Sequence, residues 1–123
     1  MKRIGTENMT VDELVRRFAD TGIEQDKALL RNEIAKFNRL FDEKKSIESE
    51  LKAREGDQRQ ALLSLYQHPN AQVRLNAMKA TLAVAPEAAR RALEVLAASR
   101  EYPQAGDAGM SLHALDNGIF KPT

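Results

Sequence analysis

The side chains able to do chemistry are few and scattered. His68 and His113 are the only histidines, and the chain has no cysteine. A metal site built on two histidines wants close helical spacing or a supporting cluster, and there is no His-Glu-x-x-His motif. Without cysteine there is no disulfide framework and no thiolate ligand. No Gly-x-Ser-x-Gly marks an activated serine. His68 precedes Pro69 and reads as a turn residue. His113 falls on a helix and reads as a solvated or edge residue. Gly106-Asp107-Ala108-Gly109 looks superficially like a phosphate loop, but it lacks the Gly-Lys-Ser/Thr that grips phosphate and magnesium. Its glycines are expected instead to give clearance for close packing. These residues predict no metal, no cofactor and no enzyme.

Binding is the better-supported class. Charged residues make up 30% of the chain, yet the net charge is only +1. A dedicated nucleic-acid binder carries a larger basic excess and stacking aromatics; here there is no Trp, and Tyr and Phe number two and four. Arg16-Arg17, Arg74, Lys79, Arg90-Arg91 and Arg100 form the arginine-rich face that a nucleic-acid-binding alternative would use. Asp42, Glu43, Glu48 and Glu50, interleaved with lysines, read as a solvated helix face or as a docking surface for a basic partner. The loop and turn positions Tyr102, Gln104, Asp107 and His113 are the candidate contact residues, because loops on a rigid scaffold often carry function.

The elements that must position these residues are helical throughout. β-branched residues are scarce and helical periodicity dominates. Thr10 and Glu13 form a capping box, Leu14 and Phe18 continue an apolar stripe, and Thr21-Gly22 is the expected stop. From Ile23 to Glu55 there is no Gly or Pro. This stretch predicts one helix about 45 Å long, unless the polar run 42–46 breaks it in two. Its stripe Leu40, Ile47 and Leu51 would serve a homodimer if the body leaves it uncovered. Asp57 caps a short helix carrying Leu62, Leu63 and Leu65. His68-Pro69-Asn70 is a sharp turn, with Asn70 capping the next helix through Val73, Ala77 and Ala80. Pro86 opens a helix that buries Ala89, Leu93 and Leu96. Residues 102–106 read as a loop, followed by a helix near Asp107–Asp116 stopped by Asn117-Gly118. Ile119 and Phe120 are expected to pack back on the body.

Helix, tight turn, helix, tight turn, helix is the pattern of an α-solenoid. The segment Leu62–Leu82 resembles a HEAT repeat. Val73-Arg74, Ala77 and Ala80 sit at the matching positions after an Asn-containing turn, with Leu82 one place later than the usual leucine. A degraded second copy puts Ala108, Leu112, Leu115 and Ile119 at an offset of about 35 residues, with Gly109 where Arg74 would map. The whole chain also resembles a small bacterial family of HEAT-like helical-repeat proteins known mainly as a domain of unknown function. That likeness lies in the Leu14 helix, in Phe37-Asn38-Arg39-Leu40-Phe41-Asp42-Glu43, in His68–Arg74, and in the tail from Pro103. It implies a fold and no assigned activity.

The resulting expectation is one all-α domain over residues 1–123. A helical hairpin spans 9–55 and includes one long helix; two HEAT-like pairs over 57–120 form a short right-handed α-solenoid. Function is expected to be non-enzymatic protein binding to an unknown partner, an immunity or antitoxin-like role being one concrete form. Lys2 and Arg3 have no apolar run behind them, so no leader is read there, and no stretch approaches the roughly 20 apolar residues of a membrane helix. The cytoplasm is the expected location.

Overall fold

The computed structural model describes residues 5–123, and every regular element among them is helical. Lys2 and Arg3 lie outside the described residues. The chain divides into two units, one running to Ala61 and the other comprising Leu62–Thr123.

The first unit is a hairpin of α1 (Val11–Leu30) and α2 (Ile34–Ala53). Its start is as the sequence predicts. The Thr10 hydroxyl accepts from the Glu13 amide at 3.1 Å, and the Glu13 carboxylate accepts from the Thr10 amide at 2.8 Å. The expected stop at Thr21-Gly22 does not occur. One glycine inside a helix costs only about 1 kcal/mol, and the buried face continues unbroken through Leu14, Phe18, Thr21, Gln25 and Ala28. Thr21 directs its hydroxyl to the Arg17 carbonyl within the helix, at 2.9 Å.

The true stop is Asn32, which takes the left-handed conformation with φ 56°. The Glu33 amide then reaches back to the Ala28 carbonyl at 2.8 Å, and the Asn32 amide to that of Leu29 at 3.2 Å. This is the left-handed C-cap usually made by glycine and sometimes by asparagine. The single long helix expected over Ile23–Glu55 is therefore the end of α1 followed by all of α2. The polar run 42–46, the alternative break, lies inside α2.

Ion pairs fix the hairpin as antiparallel. Arg17 meets Glu43 at 3.2 Å and Glu24 meets Lys36 at 3.7 Å, so residues rising along α1 face residues falling along α2. Arg54, just past α2, joins Glu50 at 2.6 Å. It also donates to the Met9 and Thr6 carbonyls at 2.6 and 3.0 Å. The chain entering α1 is thus tied to the end of α2. Ile47 and Leu51 are fully buried, so the stripe suggested for dimerisation is covered over most of its length.

The second unit packs α3 (Ala71–Ala80), α4 (Pro86–Ala97) and α5 (Gln104–Asp116) around Leu75, Met78, Leu82, Ala89, Leu93, Leu96 and Ala108. Asn70 caps α3 as predicted, its side-chain oxygen accepting from the Gln72 and Val73 amides at 2.8 and 3.2 Å. Pro86 occupies the first turn of α4, and Ala89, Leu93 and Leu96 are its buried residues.

Three expectations differ here. The short helix before the His68 turn is a 3-10 run, Gln58–Gln67. It follows two successive left-handed residues, Gly56 at φ 79° and Asp57 at φ 51°. Asp57 caps it as expected, its Oδ1 accepting from the Arg59 amide at 3.3 Å, and the same carboxylate holds the Arg59 guanidinium at 2.7 and 2.9 Å. The last helix begins at Gln104, three residues earlier than predicted, with Gly106 absorbed into it. Ile119 and Phe120 do not return to the body, and both are exposed. Gly118, at φ 67°, lets the Ile119 amide bond the Ala114 carbonyl at 2.9 Å. The tail is held by this backbone cap rather than by burial.

Candidate functional site

Helix α5 has two sharply different faces. Gln104, Ala105 and Ala108 are buried, and Leu112 and Leu115 pack on the core cluster. Helical periodicity sets Gly106, Met110, His113 and Asn117 in one line on the opposite side. The Met110 side chain is 75% exposed, and His113 and Asn117 are open to solvent. Tyr102 is exposed just before the helix.

The glycines of this helix do not give clearance inside the protein. A Cβ built at Gly106 or Gly109 meets no atom within 4 Å, so no packing within the described residues requires glycine at either position. The expected packing role is corrected accordingly.

The predicted contact residues separate cleanly. Tyr102 and His113 stand on the surface. Asp107 is exposed but engaged, with the Lys79 ammonium 3.0 Å away and the Ser111 hydroxyl donating at 3.2 Å. Gln104 is only 4% exposed and is not a surface residue. Its side-chain amide donates to Gln72 at 3.0 Å, and Gln72 donates to Asn76 at 2.9 Å, making a buried relay between α5 and α3. Buried amides need such partners, because an unpaired one costs about 1–3 kcal/mol. Met110 is not legible as a surface residue from the sequence, because an apolar residue in a helix reads as core. The available signal was its position, opposite Ala108, Leu112 and Leu115.

The arginine-rich face is largely neutralised. Arg17 pairs with Glu43, Lys79 with Asp107, and Arg90 with Glu94 and Asp116. Arg74 holds Glu101 through its two terminal guanidinium nitrogens, at 2.6 and 3.1 Å, and its Nε donates to the His68 carbonyl at 2.7 Å. The hydrogen bonds that Glu101 accepts from Arg74, and the arginine's charge, hold the Glu101 carboxyl below its usual range. His68 is a turn residue as predicted, its Nδ1 accepting from the Asn70 amide at 3.0 Å. Most of the acidic cluster is paired too. Glu43, Glu48 and Glu50 face Arg17, Lys44 and Arg54.

A groove of about 330 Å³ lies between the 3-10 turn Thr6–Asn8 and α2, lined by Thr6, Lys45, Ser46, Ser49 and Glu50. It brings hydroxyls and one ion of each sign together, without a histidine to activate a serine. Among the described residues no group of three or more His, Asp or Glu could hold a metal ion. No helix among them is long and apolar enough to cross a membrane.

The crystal structure of the protein RPA1889 from Rhodopseudomonas palustris CGA009 is similar to this fold, with a TM-score of 0.95 and 56% sequence identity over 98% of this chain and 100% of that one. None of the curated proteins matches the chain. The family model described as a domain of unknown function (DUF2019) matches residues 12–116, and the chain belongs to that family.

Proposed function

We propose that the protein is a non-enzymatic protein-binding module, and that the outward line of α5, with Tyr102 at its start, is the contact face. The observation that carries this is the coincidence of two features. Gly106 and Gly109 sit where no neighbour needs them, and Met110 and Tyr102 stand exposed beside them. Each helix-interior glycine costs about 1 kcal/mol against alanine. A bare backbone flanked by an exposed thioether and a phenol suits the close approach of an apolar helix or strand from another protein.

The HEAT-like solenoid reading belongs to the same proposal. α3, α4 and α5 follow one another through short connections, and α4 with α5 makes the better-formed pair. The 3-10 run before α3 departs from the pattern, which asks for an α-helix there. Protein is favoured over nucleic acid because Arg17, Arg74, Lys79 and Arg90 already face carboxylates.

The test is co-purification from the producing cells with tagged wild type, Met110→Glu and Gly109→Leu. A stoichiometric protein partner recovered by wild type and lost with both variants, at unchanged helicity, is the expected result. Equal recovery by all three would remove α5 as the contact face. No specific partner with wild type would remove the binding role.

A further inference from the structure

A backbone nitrogen can attack the side-chain amide of the residue before it, and glycine is the residue that leaves this approach clear, because it has no Cβ. Asn117 is the only asparagine in the chain followed by glycine. Asn8, Asn32, Asn38, Asn70 and Asn76 precede Met9, Glu33, Arg39, Ala71 and Ala77. Two of these are further protected. Asn76 is buried, and the Asn70 side chain is held in its helix cap.

Asn117 is the C-cap of α5. Asn117 and Gly118 are both exposed, so solvent reaches the amide and the peptide nitrogen that follows it. In the closed cap two hydrogen bonds keep these groups apart. The Asn117 side-chain amide donates to the His113 carbonyl at 2.8 Å, and the Gly118 amide donates to the Leu115 carbonyl at 3.2 Å. Rotation about the Asn117 Cα–C bond, away from ψ 9°, brings the Gly118 nitrogen toward the side-chain carbon. The hydrogen bonds it breaks all lie in the last turn of a helix, where ends fray at little cost. None of residues 117–123 is buried, so no core side chain has to move with them.

We propose that Asn117–Gly118 is a site of self-modification in the folded protein. The Gly118 backbone nitrogen forms a bond to Asn117 Cγ, the Cγ–Nδ2 bond breaks, and ammonia leaves with the proton that the Gly118 nitrogen gives up. The product is a five-membered cyclic imide. Water then opens the ring. Addition at Cγ breaks the new bond and leaves an aspartyl residue. Addition at the main-chain carbonyl breaks the original peptide bond and leaves an isoaspartyl link through the side chain. Either product places a carboxylate at the end of α5, where the helix dipole is already negative. It also removes the donor to the His113 carbonyl, and it sets a negative charge beside the His113 ring, 3.3 Å from which the amide nitrogen stands. The outward line of α5 thus carries a site that ages from neutral to anionic. The chemistry holds whether or not that line contacts another protein.

The test is peptide mapping by mass spectrometry after incubation of the full chain at mildly alkaline pH. The peptide containing Asn117 should gain the mass difference between an amide and an acid and should elute as two products, one matching Asn117→Asp. Asn32 and Asn38, exposed but followed by side chains, should stay unchanged. Asn117→Gln, which keeps the amide but needs a larger ring, should lose the reaction. The same chain in urea supplies the fully open rate, and the folded rate should lie within about a hundredfold of it, as opening a helix end requires. Gly118→Ala, compared in urea so that the strained cap plays no part, should slow the reaction about tenfold or more, because its Cβ obstructs the attacking nitrogen. An amide that persists in the folded chain while the chain in urea reacts overturns the proposal. So does equal reaction at Asn32 or Asn38, or an aspartyl product with no isoaspartyl partner.

Discussion

Replacing Gly106 and Gly109 with alanine should make the protein more stable, and the structure supplies the magnitude. Both residues lie within α5, where glycine is less favourable than alanine by about 0.8–1.0 kcal/mol. A substitution can forfeit that gain only if the added methyl collides, and at both positions it meets nothing within 4 Å. Each change should therefore contribute close to its full propensity difference, and the double variant about 2 kcal/mol. For a chain of this length that is a rise of roughly 6–12 °C in Tm. Gly118→Ala is the built-in control. Its φ of 67° is one that an L side chain rarely adopts, so the same chemical change there should cost about 1 kcal/mol. Thermal melts and urea unfolding with an unchanged m-value measure all three. If Gly106→Ala or Gly109→Ala is neutral or destabilising, the open space beside α5 is misjudged, and with it the argument that these glycines serve something outside the chain. If both stabilise as expected, the wild-type glycines persist at a cost to the fold, and the Met110 face is where to look for the reason.

Asn32→Ala should destabilise by about 1 kcal/mol, while Asn32→Gly should be neutral or stabilising, because the left-handed C-cap needs the backbone conformation rather than the amide; urea midpoints distinguish the two. Gln72→Leu and Gln104→Leu should each cost about 1–3 kcal/mol by leaving a buried amide unpaired. The pair together should cost less than their sum, and a double-mutant cycle reads the difference. Arg74→Ala should remove part of the protein's acid sensitivity. Arg74 lowers the Glu101 pKa in the folded state, so the stability this pair adds is present above the ordinary carboxylate pKa. It is lost as the pH falls through the lowered value. The wild-type minus variant stability gap, measured by urea unfolding from pH 7 downward, should therefore narrow on acidification; a constant gap would mean the guanidinium acts only through the His68 turn.

What was legible in the sequence was whatever depends on neighbours a few positions away. The Thr10–Glu13 box, the Asn70 cap, Pro86 in the first turn and the Ala89–Leu93–Leu96 stripe are all local, and each stands as read. Sequence and structure part where local preference meets a tertiary demand. Gly22 has the type of a stop, but the buried face on both sides of it carries the helix onward. Asn32 carries little signal as a stop, because asparagine is the rarer C-cap. Gln104 lies between Pro103 and Gly106 and reads as a loop, yet its side chain is needed inside to meet Gln72. Ile119 and Phe120 are apolar and read as packing on the body, but a backbone cap holds the tail without burying them. Among the candidate contact residues, Tyr102, Asp107 and His113 are on the surface. Met110 required knowing which side of α5 faces inward.

The Gln104–Gln72–Asn76 relay also acts as a ruler. Apolar contacts alone would tolerate α5 sliding or rotating by a fraction of a turn, since Ala105 and Ala108 are small and forgiving. The amide contact would not, because a shift of one residue breaks the Gln104–Gln72 hydrogen bond in a buried place. The direction in which Met110 and His113 point is therefore set by residues on the far side of the same helix. The residues that hold α5 in place and those it exposes lie on separate faces of the helix. The outward line can be rewritten, by mutation or by design, without retuning the scaffold that aims it.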